Sequence, residues 1–384
     1  MNLSVNLKKA VCIIMTLAML ACSLISCGST GKPLLTLDGH SISVNLFELY
    51  LTRAKSMLSV EYGESIKSND FWETWIDIYD KKTYNTQHTE EVLDSAKTYL
   101  AAIAVFDELG LELPKSSIDE IDATLEEMVM NEANGSKSAF NAILAHYGAN
   151  YDILREAYII EAKIAYLREE LFGKNGSKVG ANLIDDYYKE NYARFKQVFL
   201  CTYEELYELD ANGKKIYQYD SNGEIKVRHY KDSDPEMKIV ESDAKAIMEE
   251  AKAGDFDGFD ALVKEYNQGS NDYPNGYYVS EYTAYDAIEV VDEVFDMEIG
   301  EVRRVRSDYG IHIVMRYDIV DGAYTFEENE DLFISTKTGT YIFMSDLVDE
   351  LYYEYLAEYK EKIIVDEELL KTVDIKSVDI NYYY

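Results

Sequence analysis

"VRRVRSDYGIHIVMRYD", residues 302–318, carries two short strands, VRRVRSD and GIHIVMRYD, and one of the chain's five histidines. His312 stands between Ile311 and Ile313. An imidazole there is either a satisfied member of a buried strand or a group that shapes a site. The surroundings decide. Upstream, "SDAKAIMEEAKAGDFDGFDALVKEY" (242–266) reads as two short helices broken at Gly254, followed by a Gly/Asn/Pro loop over 267–276. Earlier still, "DANGKKIYQYDSNGEIKVRHYK" (210–231) holds two Asn-Gly turns. Ile216, Tyr217, Tyr219, Ile225, Val227 and Tyr230 flank the second of them, which predicts a β-hairpin. "KQVFLCTY" (196–203) has the texture of a buried strand. Residues 196–320 are therefore expected to form one small α+β domain.

The flanks are helical. "LLTLDGHSISVNLFELYLTRAKSML" (34–58) predicts strand, Asp-Gly turn, strand and helix, with Ser43 as N-cap. Over 90–109, Val92, Leu93, Ala96, Leu100, Ile103 and Phe106 share one helical face, and Gly110 ends it. A helix capped by Ser116 or Ser117, a third ending at Gly148, a fourth ending at Gly173 and a fifth over 183–195 complete the block. Beyond residue 325, "SDLVDELYYEYLAEYKEKI" predicts a helix that packs back on this block, followed by a short extended tail. The expected domains are thus 34–195, helical; 196–320, α+β, with the 210–231 hairpin as an insertion; and 321–384, a C-terminal helix and tail.

The first 26 residues read as a secretory signal: Lys8 and Lys9, an apolar run from Ala10 to Ile25, then a small residue. "LISC" resembles the bacterial lipobox, which implies diacylation of Cys27 and a tether over 27–33. Cleavage removes two of the 37 basic residues and no acid. That leaves 35 against 72, a net charge near −37. Such a balance argues against nucleic acid and against adsorption onto anionic lipid. With Cys12 and Cys22 removed and Cys27 lipidated, only Cys201 remains, so no disulfide supports the fold. His40, His88, His146, His229 and His312 form no pair at ligand spacing, and neither a metal nor a cofactor is expected. The 34 tyrosines, against 13 phenylalanines and 2 tryptophans, suit either adaptable peptide-binding surfaces or ordinary cores.

The layout resembles the SurA/PrsA group of exported foldases. In that group a helical chaperone region, built from both ends of the chain, carries an inserted parvulin-type peptidyl-prolyl isomerase module. "AKAIMEEAKAGDFDGFDALVKEYN" is similar to the parvulin helix pair. "VDEVFDMEIGEVRRVRSDYGIHIVMR" (291–316) is similar to its closing Phe…Gly-Glu-Val…Gly-x-His-Ile signature. The resemblance spans roughly 34–380 and implies polypeptide clients, a lipid anchor, and the extracytoplasmic face of a bacterial membrane. A homodimer is left open.

It also implies a catalytic cluster, and the cluster is incomplete here. His312 takes the second histidine position and Ser307 the Ser/Thr position. The first histidine is replaced by Gln197, and the Cys/Asp position falls at Gly269, with Asp272 as an alternative. The apolar shelf for the proline ring maps to Asn275, Val290, Phe295 and Met297, with the shelf methionine's own position near Asp286. The expected function is a membrane-anchored folding factor with weak or lost isomerase activity. An active isomerase with a rearranged site, and a non-catalytic envelope scaffold, remain as alternatives.

Overall fold

Asp38 and Gly39 both adopt positive φ, the geometry of a two-residue hairpin turn, and so join strand β1 (Pro33–Leu37) to β2 (His40–Ser43). The computed structural model describes residues 31–77, 79, 81–269, 273–281 and 287–384. The Ser43 hydroxyl then accepts from Leu46 N–H at 3.1 Å and caps helix α1 (Val44–Tyr62). Such a cap contributes about 1 kcal/mol. Helix α2 (Tyr84–Glu108) begins earlier than its apolar stripe because Thr83 caps it. Its buried face includes Val92, Ala96, Leu100, Ile103 and Phe106. Helix α3 (Lys115–Ala133) starts at Pro114, not at a serine cap. The fixed φ of proline suits a helix entry, and Ser116 and Ser117 fall inside the first turn. Helices α4 (Lys137–Leu144), α5 (Tyr151–Phe172, capped by Asn150) and α6 (Ala181–Asn191) follow.

The texture changes three residues before the expected point. Strand β3 runs Ala193–Cys201, taking residues 193–195 from the predicted helix. The next segment makes both Asn-Gly tips, not one. Strands β4 (Tyr203–Glu205), β5 (Tyr207–Leu209), β6 (Lys215–Tyr217) and β7 (Val227–His229) pair β4 with β7 and β5 with β6, and Tyr219 bridges Ile225 across the second tip. Helices α7 (Pro235–Ala253) and α8 (Phe256–Tyr266) break at Gly254, as predicted. Strand β8 (Tyr277–Val279), helix α9 (Ile288–Phe295) and strands β9 (Val302–Arg306) and β10 (Gly310–Tyr317) complete an antiparallel sheet of order β8-β3-β10-β9.

That sheet has two covered faces. Val198, Leu200, Ile311, Ile313 and Met315 pack with Met237, Ile247, Phe259 and Leu262 of α7 and α8. Phe195, Val305 and Val314 pack on the other face with Val290, Val291 and Val294 of α9. Period-2 alternation sorts the strand residues between the two cores.

The chain then returns through helix α10 (Met344–Lys360) to strand β11 (Ile364–Val365), which pairs with β1. Tyr352 and Leu356 pack on Ala101, Val105, Phe106 and Leu167. The C-terminal tail is not extended. It runs in turns, burying Val373, Ile375 and Tyr384 in the core made by α1, α2, α3 and α5.

The fold is thus α+β, in two units: residues up to Lys178 with Val348–Tyr384, and Val179–Leu347. The expected boundaries at 195/196 and 320/321 move outward. Tyr187 and Tyr188 of α6, with Tyr192 just after it, pack ring against ring with Tyr278, Tyr324, Phe333 and Phe343, which ties α6 and the 321–343 segment to the sheet. Among the described residues, no helix is long and apolar enough to cross a membrane.

Candidate functional site

Strand β10 places His312 opposite Phe199 on one side and Val305 on the other. Gln197 faces Val314 and so lies diagonally across from His312 on the same side of the sheet. Ser307 follows β9, and its N–H donates to Gly310 O at 3.0 Å, closing the turn into β10. Gly310 is required by closeness: a Cβ there would lie 2.3 Å from Leu200 O and 2.5 Å from the Phe199 ring. The Gly-x-His spacing therefore lets the turn sit tight on β3 and aims the imidazole across the sheet.

The three residues meet in one chain of hydrogen bonds. Gln197 Oε1 lies 2.8 Å from His312 Nδ1, and Ser307 Oγ lies 2.8 Å from Nε2. With an amide oxygen at Nδ1, that nitrogen carries the proton and donates, and Nε2 accepts from the Ser307 hydroxyl. Ser307 Oγ in turn accepts from Tyr309 N–H at 3.2 Å. Phe199 covers the ring, its centroid 4.9 Å away. His312 is 3 % exposed. Burial pushes its pKa down to about 4, so the imidazole is neutral at physiological pH. Both of its hydrogen-bond partners are groups that do not titrate near neutrality.

Beside the network, the loop after α8 completes the edge of β3 without being a strand. Asn267 Oδ1 accepts from Phe199 N–H at 2.9 Å, Gln268 N–H donates to Phe199 O at 2.9 Å, and Gln268 Oε1 accepts from Cys201 N–H at 2.9 Å. Gly269 lies against Phe199 and offers no side chain to the cluster. Asp272 and Asp286 lie outside the described residues, as does Cys27. Cys201 is half-buried, and its thiol donates to Tyr203 O at 3.3 Å. A cavity of about 410 Å³ opens on this edge, lined by Gln197, Val263, Asn267, Tyr273, Pro274 and Tyr277 among others, but not by His312 or Ser307.

The shelf residues do not assemble into an open platform. Val290 and Met297 are buried in the core beneath α9. Phe295 is half-buried at that core's edge, with the Arg316 guanidinium 5.8 Å from its ring centroid. Asn275 is exposed, on a loop where its carbonyl accepts from Arg194 at 2.8 Å. Sequence reasoning missed Phe199, although strand alternation already puts it on the His312 face. It also missed Asn267 and Gln268, whose side-chain mimicry of a strand has no sequence signature. Among the described residues, no group of three His, Cys, Asp or Glu side chains could hold a metal ion.

No protein-family model matches the chain, and no curated protein matches it. Solved structures do. The chain is similar to PrsA from Bacillus subtilis, with 17% identity over 75% of this chain and 86% of that one, at a TM-score of 0.22. It is similar to the peptidylprolyl isomerase PrsA from Bacillus cereus, with 17% identity over 90% and 93%, at 0.25. It is also similar to a SurA-like chaperone from Campylobacter jejuni, with 13% identity over 92% and 100%, at 0.21. Superposition at this level is loose.

Proposed function

We propose that this chain is an extracytoplasmic folding factor, anchored by lipid on Cys27, whose sheet unit is a parvulin-like module with weak or lost isomerase activity. The closing Gly-x-His-Ile signature and the helical block built from both ends of the chain support the folding-factor part. The state of His312 carries the second part. Rotation about an X–Pro bond faces a barrier of about 18–20 kcal/mol from amide resonance. Lowering it requires a pocket that holds the twisted amide away from water, with polar groups turned toward it. Here the imidazole is neutral and sealed, and both of its nitrogens are spent on Ser307 and Gln197. The shelf positions are buried or scattered.

One observation favours an active site arranged differently: the cavity beside Gln197 is lined by Tyr273, Pro274 and Tyr277, which suit a prolyl or aromatic side chain. Two assays on the mature chain separate the readings. Suppression of aggregation of an unfolded client, without acceleration of proline-limited refolding, is the expected result. Acceleration of refolding would favour the rearranged isomerase. Absence of both would leave an envelope scaffold. For the anchor, Cys27→Ser should release the protein from the membrane fraction, and retention would count against lipidation.

A further inference from the structure

In the helical unit, α3 and α5 pack closely at one end through Leu125 and Val129 against Ile153, Leu154 and Ala157. Arg155 and Asp122 join them there. Farther along α5 the facing residues are Ala162 and Ala165, too short to fill the space. A groove of about 390 Å³ results, with Ile121, Tyr158, Ala162 and Ala165 in its walls.

Glu120 and Glu169 also line it. Both are exposed, and neither has an ion-pair partner among the described residues. Of the neighbouring acids, Asp119 is matched by Lys115, Asp122 by Arg155, Asp107 by Lys163 and Glu170 by Lys178, whereas the exposed Glu112 and Glu127 add further unmatched charge beside the groove. Apolar walls edged by two unmatched carboxylates complement an apolar segment flanked by cations. The chain's net charge of −35 strengthens attraction of such a segment and opposes pairing of two copies through this face.

We propose that the α3–α5 groove binds short apolar stretches of unfolded polypeptide flanked by lysine or arginine. This rests on the folding-factor reading and names the chemistry of its clients. The probe is a fluorescent, unstructured peptide of about ten residues, with a Leu/Val centre and Lys flanks, beside a twin with Glu flanks, each titrated into the mature chain at low and at high salt. At low salt the Lys peptide should bind at least about tenfold more tightly, and the gap should narrow as salt screens the rim charges. Ala165→Trp, at an exposed position that leaves the fold intact, should weaken the Lys peptide at least about fivefold by filling the groove. Glu120→Lys with Glu169→Lys should abolish or reverse the charge preference. Unchanged binding in both variants would overturn the groove while leaving the folding-factor reading standing, provided client aggregation is still suppressed. Self-association of the chain that Ala165→Trp abolishes would also overturn it, by making the groove a contact between copies. If neither peptide nor full-length client is bound, both readings fail.

Discussion

Burial disfavours the charged form of an imidazole, and at His312 it is the cause that lowers the pKa from 6.5 to about 4. The unfolded chain therefore takes up a proton at His312 before the folded one does. The stability this site contributes is fully present above about pH 6.5 and is lost as pH falls from there toward 4. Melting curves of wild type and His312→Gln across that window should show the wild-type advantage shrinking with acid. A constant difference would mean that the imidazole is not held neutral. The grouping of His312, Ser307 and Gln197 came from the resemblance to the parvulin signature; strand alternation and the Gly-x-His turn are the physical reason that these side chains meet. The shelf was not legible in the sequence. Whether Val290 or Met297 faces a pocket or a core depends on how α9 is rolled onto the sheet, and no local pattern encodes that.

Among the elements, helices with a cap and a stop glycine were readable to within a few residues, since their hydrogen bonds are local. The boundary at Ala193 was not. Tyr192, Ala193 and Phe195 continue the apolar spacing of α6, and pairing of Ala193–Phe195 with Tyr277–Val279 on one side, and of Arg194 and Phe195 with Tyr317 and Arg316 on the other, makes 193–195 strand. The 203–230 segment has no buried residue, so its two hairpins rest on their own ladders and turns. Leu206 N–H donates to Lys226 O at 2.8 Å, so the strands are already adjacent there. Replacing residues 207–225 by Asn-Gly should leave the melting temperature within about 3 °C of wild type, because surface changes rarely exceed about 0.5 kcal/mol. A larger loss would mean that the hairpins support the sheet.

The tail behaves oppositely. Lys55 is 7 % exposed, and its ammonium donates to Lys376 O and Val378 O at 2.9 and 2.7 Å above the Trp72 ring. Lys55→Met would remove the donor from two half-buried carbonyls, at a cost of at most about 1–3 kcal/mol each. The expected result is a lower melting temperature and faster amide exchange over 373–384. Unchanged exchange would mean that the apolar contacts of the tail suffice.

At the scale of the whole molecule, the sequence suggested an α+β insert within a helical block but placed its limits too tightly. The tyrosine surplus is part of the reason. Tyr187, Tyr188, Tyr192, Tyr278 and Tyr324 pack ring on ring with Phe333 and Phe343, so a share of the tyrosine is core material. Aromatic contacts between distant segments leave no periodic trace. Residues 179–347 form a continuous segment with their own cores and should melt cooperatively when expressed alone. Residues 31–178 alone should not, because they lack Tyr352, Leu356, Val373, Ile375 and the strand that pairs with β1. Independent folding of 31–178 would contradict that division.

On this reading His312 holds the sheet unit together and does not catalyse. That role is tested most directly by measuring cis–trans exchange on a short X–Pro peptide together with thermal melting, for wild type and His312→Ala. Exchange near the uncatalysed rate, over tens to hundreds of seconds, is expected for both proteins. A melting temperature several degrees lower is expected for the variant, which loses the imidazole's hydrogen bonds to Gln197 and Ser307 and leaves a buried cavity in its place. Fast wild-type exchange that collapses in His312→Ala while the melting curve stays put would contradict this reading and make His312 catalytic.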